Sequence, residues 1–144
     1  MDVDVETRVR RSFARQAYMA TIGAELVHVA EGEVDIALPF SERLTQQDRY
    51  LHAGVVAGIV DSACGYAALT TMDPGAEVLT VEFKINLLAP AAGERLLARG
   101  RVLRAGRTVT VCRGDAVINS SGAEKQVATL TATLIAIRRE GARA

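Results

Sequence analysis

The stretch LHAGVVAGIVDSACGYAAL, residues 51–69, most narrows what this chain can become. Its apolar residues are not confined to one stripe of a 3.6-residue period. A helix built from it must be enclosed by protein on nearly every side. Yet Asp61 stands in its middle, and an ionised carboxylate taken out of water costs several kcal/mol or more unless it is paired or its pKa shifts. A membrane-spanning reading is disfavoured, because a central Asp costs roughly 2.5–3.5 kcal/mol on insertion scales. Gly58, Ser62, Gly65, Thr70 and Thr71 dilute the run further. The helix is expected from about Ala53 to Met72, stopped by Asp73-Pro74-Gly75, and buried in protein.

The rest of the chain supplies an enclosure. After residue 75 the pattern switches to period two: in VEFKINL, Val81, Phe83, Ile85 and Leu87 alternate with Glu82, Lys84 and Asn86. Further strands are expected near 94–104, 107–118 and 127–137, separated by the turn signals Ala105-Gly106 and NSSG at 119–122. Two shorter strands, Glu25 to Val29 and Glu33 to Leu38, flank AEG at 30–32, and residues 40–52 form a polar connection. Residues 4–22 read as an amphipathic surface helix with Val5, Val9, Phe13 and Ala17 on one face and a solvated cluster of Arg8, Arg11 and Arg15 on another. Five or six antiparallel strands with one dry face and one wet face, together with one helix that must be enclosed, predict an α+β fold: a curved sheet wrapped around a long central helix. Its open edge strands invite a partner, so a homodimer is expected.

Length and composition suit this. A chain of 144 residues matches one domain, 1–144, with 1–22 as a helical extension. Only 4% of residues are aromatic and Trp is absent, so Val, Leu, Ile and Ala must build the core. Lys plus Arg and Asp plus Glu both number 17, without the basic excess of a nucleic-acid binder, and no basic helix-turn-helix segment precedes the domain. Cys64 and Cys112 form neither a disulfide framework nor a metal-ligand spacing. The opening MDVDVETRVRRSF lacks a signal-peptide core. Reduced thiols, a cytoplasmic location, no metal and no nucleic-acid or membrane partner are the expectations.

On a helix, Asp61 neighbours the small residues Ala57, Gly58, Cys64, Gly65 and Ala68, with Val55, Ile59, Ser62, Tyr66 and Leu69 assigned to the opposite face. Such a stripe permits close approach of another chain or a ligand; it equally permits a structural Asp bonded to backbone amides or an Arg. At the helix mouth stands His52, followed by Ala53 and Gly54, whose amides lack intrahelical acceptors and lie at the positive end of the dipole. They can hold a developing oxyanion.

These residues resemble a known family. LHAGVVAGIVDSACGYAA followed by VEFKINLLAPA is similar to the hotdog-fold acyl-CoA thioesterases of the phenylacetate-pathway type, over roughly residues 23–137. Their helix opens with His-Gly-Gly and places an Asp nine residues after the His, the spacing of His52 and Asp61. The resemblance implies Asp61 as nucleophile or general base and a helix-mouth amide, Ala53 with Gly54 next to it, polarising the thioester carbonyl. It also implies Gln46 in the place of a positioning Asn and Thr80 as the holder of the attacking water. His52 and Ala53 would come from one subunit, Asp61 and Thr80 from the other, in a dimer or dimer of dimers. Two departures stand out: His-Ala-Gly replaces His-Gly-Gly, and Gln46 is one methylene longer than Asn. Taken singly, His52 also reads as a helix cap, Thr80 as a strand residue and Gln46 as a loop residue.

The expected activity is therefore acyl-CoA hydrolysis, with coenzyme A as part of the substrate and no separate cofactor. Arg104 and Arg107 at the 104–107 hairpin are candidates for the CoA phosphates, with Arg101 and Lys84 behind them; all four also read as solvated charges. Tyr50, Leu51, Tyr66 and Leu69 are candidates for the acyl pocket, or for the core. Two other readings stay open: a non-catalytic acyl-CoA sensor, and a hydratase or dehydratase of the same fold, for which His28 and His52 are the only histidines.

Overall fold

Helix α3 (Ala53–Leu69) lies across the concave face of one antiparallel sheet and touches five of its strands. The computed structural model describes residues 3–138; residues 1–2 and 139–144 of the expected 1–144 span lie outside the described residues. In chain order the elements are α1 (Val3–Arg15), α2 (Ala17–Ile22), β1 (Glu25–Ala30), β2 (Glu33–Pro39), a 3-10 turn (Glu42–Leu44), α3, β3 (Ala76–Leu87), β4 (Arg95–Ala105), β5 (Val109–Ser120) and β6 (Ala123–Arg138). The spatial order is β1-β2-β4-β5-β6-β3, so β1 and β3 are the two edges. The helix that had to be enclosed is enclosed: Ile59, Val60, Ala63, Cys64, Ala67 and Ala68 are fully buried against the sheet. The convex face carries ion pairs across strands, Arg101–Asp35 at 2.6 Å and Arg99–Glu124 at 2.8 Å.

A pair of glycines sets how closely the helix approaches. Gly100 of β4 and Gly114 of β5 face each other in register. A Cβ on Gly100 would fall 2.3 Å from the Ala63 carbonyl oxygen and 2.7 Å from the Cys64 nitrogen; one on Gly114 would fall 2.8 Å from Cys64 Sγ. The backbone of α3 rests on a spot of sheet that has no side chains.

Three expectations needed correction. The 4–22 helix is two helices, because Gln16 takes extended angles (φ −79°, ψ 101°). The break turns Met19 and Ile22 into the core, where both are buried, and Gly23 in the left-handed region (φ 82°) ends α2. Second, α3 stops at Leu69 rather than Met72, since the Thr70 and Thr71 hydroxyls bond back to the carbonyls of Ala67 and Ala68. Third, Arg8 is not part of a solvated face. Its guanidinium donates to the carbonyls of Leu69 (2.5 Å), Met72 (3.1 Å) and Asp73 (2.8 Å). A cation from α1 thus satisfies the carbonyl end of α3, where the helix dipole is negative. Replacing Arg8 by Met is expected to lower stability by about 2 kcal/mol, the worth of charge-assisted bonds; a thermal melt of Arg8→Met against Arg11→Met, whose residue is exposed, measures it.

The strands are longer than their alternation suggested. Ser121 (φ 50°) and Gly122 (φ 82°) form a two-residue turn with both residues left-handed, so β5 and β6 pair all the way to Ser120–Ala123.

Candidate active site

The site begins with an irregularity in β3. Thr80 pairs with Leu134 and Glu82 pairs with Thr133, so Val81 is an extra residue bulged out of the ladder. A bulge reverses the parity of the strand. Phe83, Ile85 and Leu87 share the inward face with Ala132, Leu130 and Ala128 after it, whereas Thr80 shares the inward face with buried Leu134 before it. Plain alternation through VEFKINL would have put Thr80 outside with Glu82 and Lys84. The bulge instead brings its hydroxyl to α3, where it donates to Asp61 Oδ1 at 2.8 Å.

Asp61 is half-buried and, among the described residues, no Lys or Arg lies within ion-pair distance of it. Burial pushes its carboxyl above the ordinary carboxylate range, and the Thr80 bond partly opposes that rise. A cavity of about 280 Å³ opens on it, lined by Ser12, Gln16, Ser62, Tyr66 and Thr80 among others. Ser62 and Tyr66, expected on the opposite face of the helix, therefore share the space around Asp61. The cause is the N-terminal segment: α1 and the Gln16 break fold over that flank of α3, and Gln16 bonds to both Ser62 (3.2 Å) and Tyr66 (3.2 Å).

The other group of expected residues gathers at the mouth of α3. His52 is the helix N-cap, its Nδ1 accepting from the Gly54 amide at 2.8 Å. That bond assigns the ring proton to Nε2. It also occupies the Gly54 amide, leaving that of Ala53 as the one aimed out of the helix end. Gln46 braces its own loop, Oε1 accepting from the amides of Asp48 (2.5 Å) and Tyr50 (3.3 Å), so the half it can offer a ligand is the donor Nε2. A second cavity of about 400 Å³ lies here, lined by Gln46, Tyr50, Leu51, Ala53, Leu87 at the far end of β3 and Leu88 just beyond it. Of the candidate acyl-pocket residues, Tyr50 and Leu51 line this cavity and Tyr66 the Asp61 cavity. Leu69 lines a neighbouring space of about 470 Å³ with Arg8 and Gln16.

These two groups are apart within one chain. Ala53 and Asp61 are separated by eight residues of α3, about 12 Å at 1.5 Å per residue. Arg104 and Arg107 are exposed at the β4–β5 turn. Register places Ala105, Thr110, Leu134 and Thr80 on one line across β4, β5, β6 and β3, so the hairpin sits level with Thr80, about 14 Å away across three strand spacings.

Neither thiol is a nucleophile here. Cys64 and Cys112 are buried and unpaired, and burial pushes the Cys112 thiol up to about 12 and the Cys64 thiol higher still. Among the described residues no group of three His, Cys, Asp or Glu gathers to hold a metal, and no helix is long and apolar enough to cross a membrane. Gln16, Ser12 and the bulge were not anticipated. Gln16 had one available signal, a polar residue interrupting an otherwise apolar helical face.

A six-stranded antiparallel sheet curled around one central helix, with an acid on that helix facing an edge strand, defines the hotdog class expected from the resemblance. Comparison with known proteins agrees. The model of the thioesterase superfamily matches residues 49–124, and the chain belongs to that family. A solved thioesterase family protein from Silicibacter pomeroyi superposes with a TM-score of 0.92 at 48% identity, covering 94% of this chain and 99% of that one. The PaaI protein from the phenylacetic acid degradation operon of E. coli has the same fold, with a TM-score of 0.83 at 19% identity over 93% of this chain and 94% of its own. Human acyl-coenzyme A thioesterase 13 is 31% identical over 98 residues, 67% of this chain and 69% of that protein. The matched segment spans only 64% and 59% of the length of two curated relatives from Saccharolobus solfataricus.

Proposed function

We propose that the protein hydrolyses acyl-CoA thioesters to a free acid and CoA, within a homodimer or a dimer of dimers. The observation that carries this is the Thr80–Asp61 hydrogen bond in the lining of an open cavity, with no cation among the described residues to give Asp61 a structural reason to be there. Thr80 spends its proton on Asp61, so its oxygen can accept from a water. That water gives a proton to Asp61 as its oxygen bonds to the thioester carbon. Negative charge moves to the carbonyl oxygen, which the Ala53 amide holds at the positive end of α3. The C–S bond then breaks and the CoA thiolate leaves, needing little acid assistance. Direct attack by Asp61 is the alternative chemistry: its oxygen bonds to the thioester carbon as the C–S bond breaks, giving a mixed anhydride and CoA thiolate, and water then opens the anhydride. When water adds at the Asp61 carbonyl, a single turnover in heavy-oxygen water leaves Asp61's own oxygen, not solvent's, in the product acid.

One carbonyl cannot be served by Ala53 and Asp61 of the same chain across about 12 Å of helix. The reading therefore takes Gln46, His52 and Ala53 from one protomer and Asp61 and Thr80 from its partner. The open edge of β3 supports it: Leu79, Val81, Phe83 and Leu87 are all exposed beside an unpaired row of backbone groups. Gln46 Nε2 and His52 Nε2 would position the thioester, and Arg104 and Arg107 would meet the CoA phosphates. The expected compartment is the cytoplasm.

Thiol release from a panel of aryl and aliphatic acyl-CoAs tests the activity. Turnover of at least one member is expected. Binding without turnover would favour a sensor, and hydration of an enoyl thioester without thiol release would favour a hydratase. Phe83→Asp, which puts a charge on the proposed interface, is expected to yield a folded monomer by light scattering with most turnover lost. A fully active monomer would overturn the shared site.

A further inference from the structure

Tyr18 of α2 lies across Gly58 of α3. A Cβ on Gly58 would fall 2.9 Å from Tyr18 Cε1 and 3.0 Å from its hydroxyl oxygen, so the phenol tip rests on bare helix backbone and the glycine clears its seat. Tyr18 is 45% exposed, and its hydroxyl bonds to none of the described residues. It is a donor held in place by packing, with no structural bond to make. Gly58 precedes Asp61 by three residues, which sets the two Cβ positions about 5–6 Å apart on one face of the helix. A helical side chain leans toward the N-terminus and covers the turn before its own Cα. The Asp61 carboxyl thus leans toward the Tyr18 hydroxyl across a gap on the order of 6 Å, set by that spacing. Its own hydrogen bond goes to Thr80 instead, and the gap is wide enough for a reacting atom.

The two sides of Asp61 differ. Toward the C-terminal end of α3 lies the cavity of about 280 Å³ lined by Ser62, Gly65 and Tyr66, enclosed space for an acyl group. Toward the N-terminal end lie Gly58 and the exposed ring of Tyr18. A coenzyme A arm is too large for the cavity and must leave the reacting carbon on this open side. With the carbonyl oxygen turned to a helix-mouth amide and the acyl group in the cavity, the third substituent of that carbon, the sulfur, faces Tyr18.

We propose that Tyr18 is a further catalytic residue, whose hydroxyl donates a hydrogen bond to the thioester sulfur as the C–S bond breaks and its electron pair passes to sulfur. The inference rests on the hydrolase reading above and adds to it the group that meets the leaving thiolate. The proton stays on Tyr18, so no further acid is needed, and the thiolate takes its proton from water once it has left. The bond is weak to a neutral thioester sulfur and strengthens as charge collects there. An interaction that grows in this way lowers the barrier rather than tightening binding. Tyr18 lies outside the segment 49–124 matched by the family model, so it is α2, not the matched segment, that supplies this donor.

The test reads how the rate depends on the leaving group. The CoA thioester and the 4-nitrothiophenyl thioester of one acid, the best-hydrolysed member of the panel above, are followed in single turnovers of the wild-type chain and Tyr18→Phe. On the CoA thioester the variant is expected to lose about 10-fold or more in rate, with KM within about 2-fold of wild type as the mark of a bond made only in the transition state. On the 4-nitrothiophenyl thioester the loss should be much smaller, because that thiolate spreads its charge into its own ring and gains little from a donor. The readout is the ratio of the two losses, which a general loss of folding or activity does not move. Equal losses on both thioesters, a loss confined to KM, or no loss at all overturns this inference while leaving hydrolysis standing. Thiol release from no member of the panel overturns the hydrolase reading and this inference with it.

Discussion

Asp61→Asn is expected to lower kcat/KM for any acyl-CoA the protein turns over by about 10²–10⁴-fold, the loss that follows removal of a positioned general base. The substitution keeps the shape of the side chain and an oxygen for the Thr80 hydroxyl, so the fold should survive it. Stability should move in the opposite direction. Burial raises the Asp61 carboxyl in the folded protein, so ionising it opposes folding. The cost is absent below the unfolded pKa of about 3.9, grows as pH rises past it, and is complete above the folded value. Asp61→Asn should therefore melt at a higher temperature than wild type near pH 7–8, and the difference should shrink as pH falls toward 4. For the same reason the acidic limb of the kcat/KM profile should lie above the pH at which an ordinary carboxylate titrates. A variant of unchanged activity, or one that loses stability at pH 8, would mark Asp61 as a structural residue.

Gly100→Ala is the second change with a large expected effect, and no ligand is involved. The added methyl meets backbone, not a movable side chain: the Ala63 carbonyl at 2.3 Å and the Cys64 nitrogen at 2.7 Å. Either β4 or α3 must shift. Overpacking of this kind costs about 3 kcal/mol at the upper end of its usual range, a large share of a typical stability of 5–15 kcal/mol, and roughly 10 °C in Tm for a domain of this size. Because Ala63 is two residues from Asp61, a helix that lifts off the sheet also moves the carboxylate relative to Thr80. Turnover should fall in the portion that remains folded. A variant that melts within a degree or two of wild type would show that the helix is free to slide. Gly122→Ala provides the contrast, since its strain is purely of backbone angle (φ 82°) with open space around it.

Much of the architecture was legible because it is written in local periodicity. A helix apolar all round has to be enclosed, and strands of period two have one face to enclose it with. The order of the strands along the chain, five or six in number, and the position of Asp61 on the central helix follow from that. The site was legible only in part. His52, Ala53 and Asp61 were visible as spacing on one helix, whereas Gln16 was not, because nothing in an amphipathic N-terminal segment says which part of the molecule it will cover. The Arg8 cap escaped for the same reason: a surface arginine and a buried helix cap are identical in sequence, and they differ only in which carbonyls lie within reach.

What the sequence alone determined was the outline of burial: which helix is inside, that the strands enclosing it have an apolar face, and that an acid sits among oily neighbours. The tertiary structure decided the register. Pairing with β6 bulges β3 at Val81 and turns Thr80 inward to Asp61, and the break at Gln16 folds the N-terminal helices over that pair. Periodicity constrains each residue only against its own neighbours in the chain. A bulge and a covering segment are settled by hydrogen bonds and packing between parts of the chain far apart in sequence, and those energies exist only once the parts have met.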